Sequence, residues 1–131
     1  MFRFLTFAVF TLGMAYSAGA QTMPTPVKWQ NQRGSELTIT SIDSSGALKG
    51  TFVNKAEGFE CQNAPFDVTG RVFRSSEIFF VVTFGPCNTV TRWRGNIRGS
   101  KMRTYWLLTY VRPKDGGFTR LSGVDRFEKK K

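Results

Sequence analysis

The segment that decides the fold is TVTRWRGNIRGSKMRTYWLLTY, residues 89–110. It has the pattern of two strands joined by a turn at Gly99 and Ser100. Successive side chains of a strand point to opposite faces, so one face of this hairpin collects hydroxyls, tryptophans and a leucine, and the other collects arginines. The first face contains Thr89, Thr91, Trp93, Thr104, Trp106 and Leu108, and the second contains Arg92, Arg94, Arg98 and Arg103. The charged face must meet water, and a buried face that mixes hydroxyls with tryptophans is typical of the wall of a ligand cavity.

The same kind of pattern extends over most of the chain. Glycine and serine separate runs of strand length that are rich in Val, Ile, Thr and aromatic residues. We predict eight strands, near 27–33, 35–43, 46–54, 66–74, 77–84, 88–98, 101–112 and 118–127. Short turns join consecutive strands, which predicts an all-β protein with an eight-stranded antiparallel up-and-down β-barrel that holds one small ligand.

The beginning of the chain has the layout of a secretory signal peptide. Arg3 precedes an apolar run over residues 4–14, and Ala18–Ala20 supply small residues before Gln21. The apolar run is too short for a membrane span, so we expect a secreted or periplasmic protein with no membrane attachment after cleavage. The expected organisation is a signal peptide at 1–20, a linker at 21–26, the barrel at 27–128 and a basic tail at 129–131.

The cysteines and the missing histidine limit the chemistry. In an exported protein Cys61 and Cys87 are expected to form a disulfide, and the alternative is two buried free thiols. The chain has no histidine, which removes the usual Ser-His-Asp and Cys-His nucleophiles and the commonest zinc ligand. The carboxylates form no recognisable catalytic motif, so we expect neither an enzyme nor a metal site nor a cofactor.

The protein is strongly basic. Without the signal peptide it has 18 basic and 9 acidic residues, a net charge of +9. Such a surface can attract nucleic acid, anionic lipid or cell-wall polymers, but charge alone also keeps a secreted protein soluble.

Several segments resemble a known family. WQNQRGS (29–35), GALKGTFVN (46–54), TVTRWRG (89–95), RTYWLLT (103–109) and SGVDRF (122–127) are similar to the successive strand signatures of avidin and streptavidin. Their order and spacing agree over nearly the whole mature chain. CQNAPFDVTGRV (61–72), followed later by Cys87, is similar to the dimeric, disulfide-containing branch typified by rhizavidin.

This resemblance implies non-covalent binding of biotin in the mouth of the barrel. Asn31 and Ser35 lie where the family places donors to the ureido oxygen, and Asn54 and Asp125 lie where it places acceptors for the ureido N–H groups. Taken singly, Asn31, Ser35 and Asn54 could be turn residues, and Asp125 could be an ordinary surface acid. Five further positions have implied roles: Thr91 at the thioether sulfur, Thr89 at the valerate carboxylate, and Trp93, Trp106 and Leu108 as apolar walls.

Two positions depart from the family pattern. Phe52 stands where the family usually has a tyrosine that donates to the ureido oxygen, and Phe84 stands where a tryptophan usually lines the pocket. Both keep an aromatic wall. Losing one hydrogen bond costs about 1 to 3 kcal/mol, or about tenfold to a hundredfold in affinity.

A third departure concerns assembly. The family's tetramers cover the site with a neighbouring subunit's tryptophan, whereas the equivalent segment DGGFTRLSG (115–123) contains none. The dimeric relatives also lack it. Phe79, Val81, Tyr105 and Leu107 point outward in the predicted strands, which indicates a homodimer surface.

Two other functions compete with biotin binding. One is an avidin fold retuned to another small ligand, which Phe52 and Phe84 prompt. The other is a barrel that binds nucleic acid or an anionic polymer, since basic and aromatic residues alternate. Because Trp93 and Trp106 are predicted inside the barrel and the arginines outside, we expect biotin as the ligand and do not expect nucleic acid binding.

Overall fold

The computed structural model describes residues 23–131. The expected signal peptide and the first two residues of the expected linker lie outside the described residues. The described chain forms eight strands and one short 3-10 helix. They are β1 (Val27–Asn31), β2 (Glu36–Ile42), β3 (Ala47–Val53), β4 (Pro65–Phe73), β5 (Glu77–Phe84), the 3-10 helix (Gly85–Cys87), β6 (Thr89–Arg98), β7 (Lys101–Val111) and β8 (Phe118–Lys129).

The strands form a closed barrel. Each strand pairs antiparallel with the next, and β8 returns to pair with β1, with Gln30 opposite Glu128. The closed sheet leaves no unpaired edge between the first strand and the last. The prediction of an eight-stranded antiparallel up-and-down barrel is confirmed.

The strands alternate between the interior and the solvent as predicted. In β6 the side chains of Thr89, Thr91 and Trp93 are buried, and those of Arg92 and Arg94 are exposed. The arginines of this segment therefore lie outside the barrel, whereas Thr89, Thr91, Thr104 and Trp93 are buried inside it and Trp106 is partly buried.

Large apolar side chains fill the middle of the barrel. The Phe80 ring stacks on Trp93 with ring centroids 4.8 Å apart and planes 10° apart, and Phe127 meets the edge of Phe80. Trp29 and Met102 are each 1% exposed. Complete burial of one such side chain contributes roughly 1.5–3 kcal/mol, so these residues form a solid floor below any cavity.

Two strand ends differ from the sequence prediction by two residues, and the others agree within one residue. β1 ends at Asn31 because its side-chain Oδ1 accepts hydrogen bonds from the backbone N–H groups of Arg33 and Ser35, at 3.0 and 2.9 Å, which turns the chain. β8 continues through Lys129, whose N–H donates to the Ser100 carbonyl at 2.8 Å. The basic tail expected at 129–131 therefore begins inside a strand.

A disulfide ties two loops together at the end of the barrel. Cys61, in the loop 54–64 between β3 and β4, is bonded to Cys87 in the 3-10 helix, with Cα atoms 6.1 Å apart. The predicted pairing is confirmed. Over residues 23–131 no helix has the length and apolar character needed to cross a membrane.

Candidate ligand-binding site

A cavity of about 310 Å³ opens where β1, β3 and β7 end and β2, β6 and β8 begin. This size lies within the range of pockets that hold small molecules. Nine of the eleven residues predicted from the sequence line it. They are Asn31, Ser35, Phe52, Asn54, Thr91, Trp93, Trp106, Leu108 and Asp125.

The other two predicted residues lie beside the cavity without lining it. Phe84 is buried against the rings of Phe59 and Phe66, at centroid distances of 5.0 and 4.9 Å. Thr89 is also buried, and its hydroxyl makes no hydrogen bond within the described chain. A buried hydroxyl without a partner is costly, so Thr89 has a donor and acceptor to offer to a ligand that enters more deeply.

The turn between β1 and β2 prepares two hydrogen-bond donors. The Asn31 side-chain oxygen is used by the N–H groups of Arg33 and Ser35, which directs the amide nitrogen elsewhere. Ser35 Oγ accepts from the Lys55 N–H at 2.8 Å, so an acceptor position of the hydroxyl is used and its hydrogen remains. Both side chains are buried and line the cavity, and each can therefore donate to a ligand oxygen.

Asp125 supplies a buried carboxylate, 4% exposed. Its Oδ2 accepts from Trp93 Nε1 at 2.8 Å. Its Oδ1 accepts from the Arg33 guanidinium and, at 3.4 Å, from Gln32 Nε2. These donors compensate for the desolvation of the negative charge, and Oδ2, which accepts only from Trp93 among the described residues, can still accept one more hydrogen bond.

Asn54 begins the loop between β3 and β4. Its Oδ1 accepts from the Ala56 N–H at 2.7 Å, so the side chain shapes the loop as well as facing the cavity. An amide oxygen has two lone pairs, and the second remains for a ligand N–H.

Aromatic rings form the walls. Phe52 lies against Trp93, with centroids 4.8 Å apart and planes tilted by 43°. Trp106 lies over Gly123, where a Cβ atom would stand 2.5 Å from the indole ring. Only glycine allows the indole to lie so close to β8, and this position keeps the indole out of the cavity centre.

The cavity combines hydrogen-bonding groups with apolar walls. Neutral donors at the β1–β2 turn, a carboxylate on β8 and aromatic walls suit a small molecule with a polar ring and an apolar body. Among residues 23–131 no group of three or more Cys, Asp or Glu side chains is placed to hold a metal ion.

The sequence profile of the Avidin family matches residues 20–130. The chain belongs to the avidin family. This is a family of binding proteins that are not enzymes, and the resemblance found in the sequence is confirmed.

Individual relatives agree with this membership. Afifavidin of Afifella pfennigii is 33% identical over 107 residues, which cover 76% of this chain. The match spans 65% of the length of afifavidin, so this chain corresponds to about two thirds of that relative. 

Solved structures of other avidins are also similar. The bradavidin2–biotin complex is 48% identical over 82% of this chain and 99% of its own, with a TM-score of 0.75. The rhizavidin–biotin complex is 34% identical over 82% of this chain and 93% of its own, with a TM-score of 0.73.

Six residues line the cavity that the sequence had not indicated. They are Arg33, Ala56, Glu57, Gly58, Phe59 and Leu121. Arg33 is the most consequential, because it contacts Asp125 and its guanidinium carbon lies 5.7 Å from the centroid of Trp106. Arg33 could have been predicted to line the cavity, because it lies in the sequence between the two predicted donors Asn31 and Ser35. The others depend on the course of the β3–β4 loop, which no strand periodicity predicts.

Proposed function

We propose that this avidin binds biotin non-covalently, one molecule per barrel, in the cavity at the open end. The observation that carries the proposal is that Asn31 and Ser35 retain donors while Asp125 retains acceptor capacity within one cavity. The ureido ring of biotin presents one carbonyl oxygen and two N–H groups, which require this combination.

Each polar residue has a proposed role. Asn31 and Ser35 donate to the ureido oxygen, and Asn54 and Asp125 accept from the ureido N–H groups. Thr91 contacts the thioether sulfur and Thr89 the valerate carboxylate. Trp93, Trp106, Leu108 and Phe52 form apolar walls around the ligand. Phe84 packs against Phe52 and supports this wall without lining the cavity. Support for this assignment comes from the family membership and from biotin complexes of two similar proteins, bradavidin2 and rhizavidin.

Calorimetric titration of the mature protein with biotin tests the proposal. We expect one site per chain and a clear rise in unfolding temperature with excess biotin, because a ligand far above its dissociation constant stabilises the folded state. Asp125→Asn should weaken binding by about tenfold to a hundredfold, since it replaces a charged acceptor. Asp67→Asn is the matched control, because Asp67 is exposed on β4 and outside the cavity. No heat and no thermal shift would remove the proposal and would favour another small ligand.

We also propose a homodimer formed through the outer face of β5 and β7. Phe79, Tyr105 and Leu107 are 36%, 61% and 39% exposed there, and Val81 is partly buried beside them. The strand register places Arg94 between Phe79 and Tyr105, and Arg92 between Val81 and Leu107, so the four apolar side chains flank two arginines on one outer face. Exposed apolar residues grouped on one face of neighbouring strands mark a surface that a partner can cover.

Light scattering at micromolar concentration tests the dimer. The parent protein should have twice the mass of one chain, and Leu107→Glu should give monomers, because it buries a charge in the interface. Phe118→Glu changes another exposed apolar residue, at the start of β8, and should leave the dimer intact. A parent protein of one-chain mass would contradict the dimer proposal.

Export is proposed as well, to the periplasm or the medium. The support is the disulfide between Cys61 and Cys87, which persists in oxidising compartments, together with the signal-like residues 1–20.

A further inference from the structure

The net positive charge of residues 23–131 lies in one half of the barrel. Residues 23–88, which include β1 to β5, contain six basic and six acidic residues, a net charge of zero. Residues 89–131, which include β6 to β8, contain twelve basic and three acidic residues, a net charge of +9. Solubility requires charge but no such segregation, so the distribution indicates a partner for one face.

The strand register places like charges directly opposite each other on this half. Arg98 lies opposite Lys101 across β6 and β7, and Arg103 lies opposite Arg126 across β7 and β8. All four side chains are exposed. Like charges at directly opposite positions destabilise a sheet, and one acidic substitution in each pair would remove the repulsion. The fold alone gives no reason for either pair, whereas an anion bound between the side chains would.

These side chains line a groove of about 730 Å³ on the outside of β6, β7, β8 and β1. Its basic residues are Arg98, Lys101, Arg103, Arg126, Lys129 and Lys130. Its one acidic residue is Glu128, whose Oε1 lies 3.8 Å from Lys101 Nζ. Over the part of the chain that the structure describes, the three arginines of the groove form no ion pair with a carboxylate. Their charge is therefore available to a ligand.

The remaining lining residues indicate the class of ligand. Gln30, Gln32 and Asn96 place amide groups along the groove. The oxygens of Gln30 and Gln32 already accept from Lys130 Nζ and the Arg126 N–H, and the second lone pair of each can still accept from a hydroxyl. Guanidinium groups bind carboxylate and sulfate through two parallel hydrogen bonds. The one aromatic residue in the lining, Phe127, is buried, so the groove has no exposed ring on which a nucleic-acid base could stack.

We propose that this groove binds an anionic polysaccharide that carries carboxylate or sulfate groups. Hydroxyls of the sugar contact the amides and the anionic groups lie between the opposed basic pairs. Asn31 lines both the groove and the biotin cavity, but none of the charged side chains of the groove lines the cavity, so substitution of those charges should leave biotin binding unchanged.

Fluorescence anisotropy with a labelled heparin oligosaccharide at about 0.15 M salt tests the proposal. The mature protein should bind it, and higher salt should weaken the binding. The double variant Arg98→Glu/Arg126→Glu should weaken binding at least about tenfold, because two charge-assisted contacts are lost. It also places a carboxylate opposite Lys101 and another opposite Arg103, so its unfolding temperature should not fall.

A matched control separates the groove from overall charge. Lys49→Glu/Arg74→Glu makes the same change in net charge at exposed positions on the neutral half and should keep oligosaccharide affinity within about threefold. Both double variants should titrate with biotin like the parent. An equal loss of oligosaccharide affinity in both double variants would show that overall charge, and not the groove, attracts the oligosaccharide, and would overturn the proposal. The proposal would also be overturned if the heparin oligosaccharide does not bind. Tighter binding of a single-stranded oligonucleotide or of phosphatidylglycerol vesicles than of the oligosaccharide would contradict a polysaccharide as the ligand.

Discussion

The hydroxyl of Ser35 shows how one residue is prepared for a ligand. Its oxygen accepts from the Lys55 N–H at 2.8 Å, which fixes the hydroxyl beside the cavity and leaves its hydrogen to be donated. Asn31 is prepared in the same way, because its oxygen holds two backbone N–H groups of the turn. Groups already held in position lose little freedom when a ligand binds, and binding is stronger for that reason.

Phe52 is the position at which biotin binding should be easiest to strengthen. It lines the cavity and its ring packs against Trp93, but it has no hydroxyl to offer. Phe52→Tyr should add a donor to the ureido oxygen and strengthen binding by about 1 kcal/mol or more, mainly through slower dissociation. Surface plasmon resonance measures the dissociation rate. Phe73→Tyr, on the exposed end of β4, is the control, and an unchanged or faster rate in Phe52→Tyr would show that the pocket has repacked around phenylalanine.

Gly123 controls the position of Trp106. A Cβ atom there would lie 2.5 Å from the indole, closer than real contacts allow, so Gly123→Ala must displace the ring. We expect biotin affinity to fall at least about tenfold, because the aromatic wall moves. Calorimetry measures the loss, and Ser122→Ala, the exposed neighbour, should bind like the parent. Normal affinity in Gly123→Ala would mean that Trp106 is not part of the binding wall.

At the scale of elements, strands were easier to predict than loops. The alternation in Thr89–Arg98 determines which side chains face inward, because a one-residue slip would bury the arginines. The course of loop 54–64 depends instead on single contacts such as Asn54 Oδ1 with the Ala56 N–H and on the disulfide of Cys61. Such contacts have no periodicity, so the lining residues Glu57 and Phe59 could not be inferred from the sequence.

The disulfide should support both the fold and the site. Cys61 and Cys87 are 26 residues apart, and the loop-closure model gives a stabilisation of about 3.5 kcal/mol. The bridge also restrains the loop that carries Glu57 and Phe59 to the cavity. Cys61→Ser/Cys87→Ser should therefore lower the unfolding temperature and speed biotin dissociation.

Differential scanning calorimetry and a dissociation experiment separate the two effects. Reduction of the parent protein should reproduce the behaviour of the double variant. A variant that loses stability but releases biotin at the parent rate would limit the bridge to a structural role, and mass spectrometry that finds two free thiols in exported protein would contradict the bridge itself.

At the scale of the whole molecule, one closed sheet separates two kinds of surface. The inside holds Trp93 and Asp125 in a cavity, and the outside of the same strands carries Arg92 and Arg94. The sequence predicted this division because strand periodicity is a property of the backbone. It could not predict the ion pair of Arg33 with Asp125, which joins a turn to β8 and depends on how the barrel closes.

Biotin affinity should hardly depend on salt. The outward arginines are exposed and lie on the far side of the sheet from the cavity, and charges separated from a ligand by more than about 10 Å are largely screened at 0.1 M salt. Titrations between low and high salt should differ by less than about threefold. Binding that weakens steeply with salt would place the ligand on the basic outer face.

The most direct test of the central claim is a crystal structure of the mature protein with biotin. The ureido oxygen should lie within hydrogen-bond distance of Asn31 and Ser35, and one ureido N–H should donate to Asp125. The bicyclic ring should lie between Trp93 and Trp106, with the valerate chain extending away from Asp125. An empty cavity at saturating biotin, or biotin bound on the outside of the barrel, would contradict it.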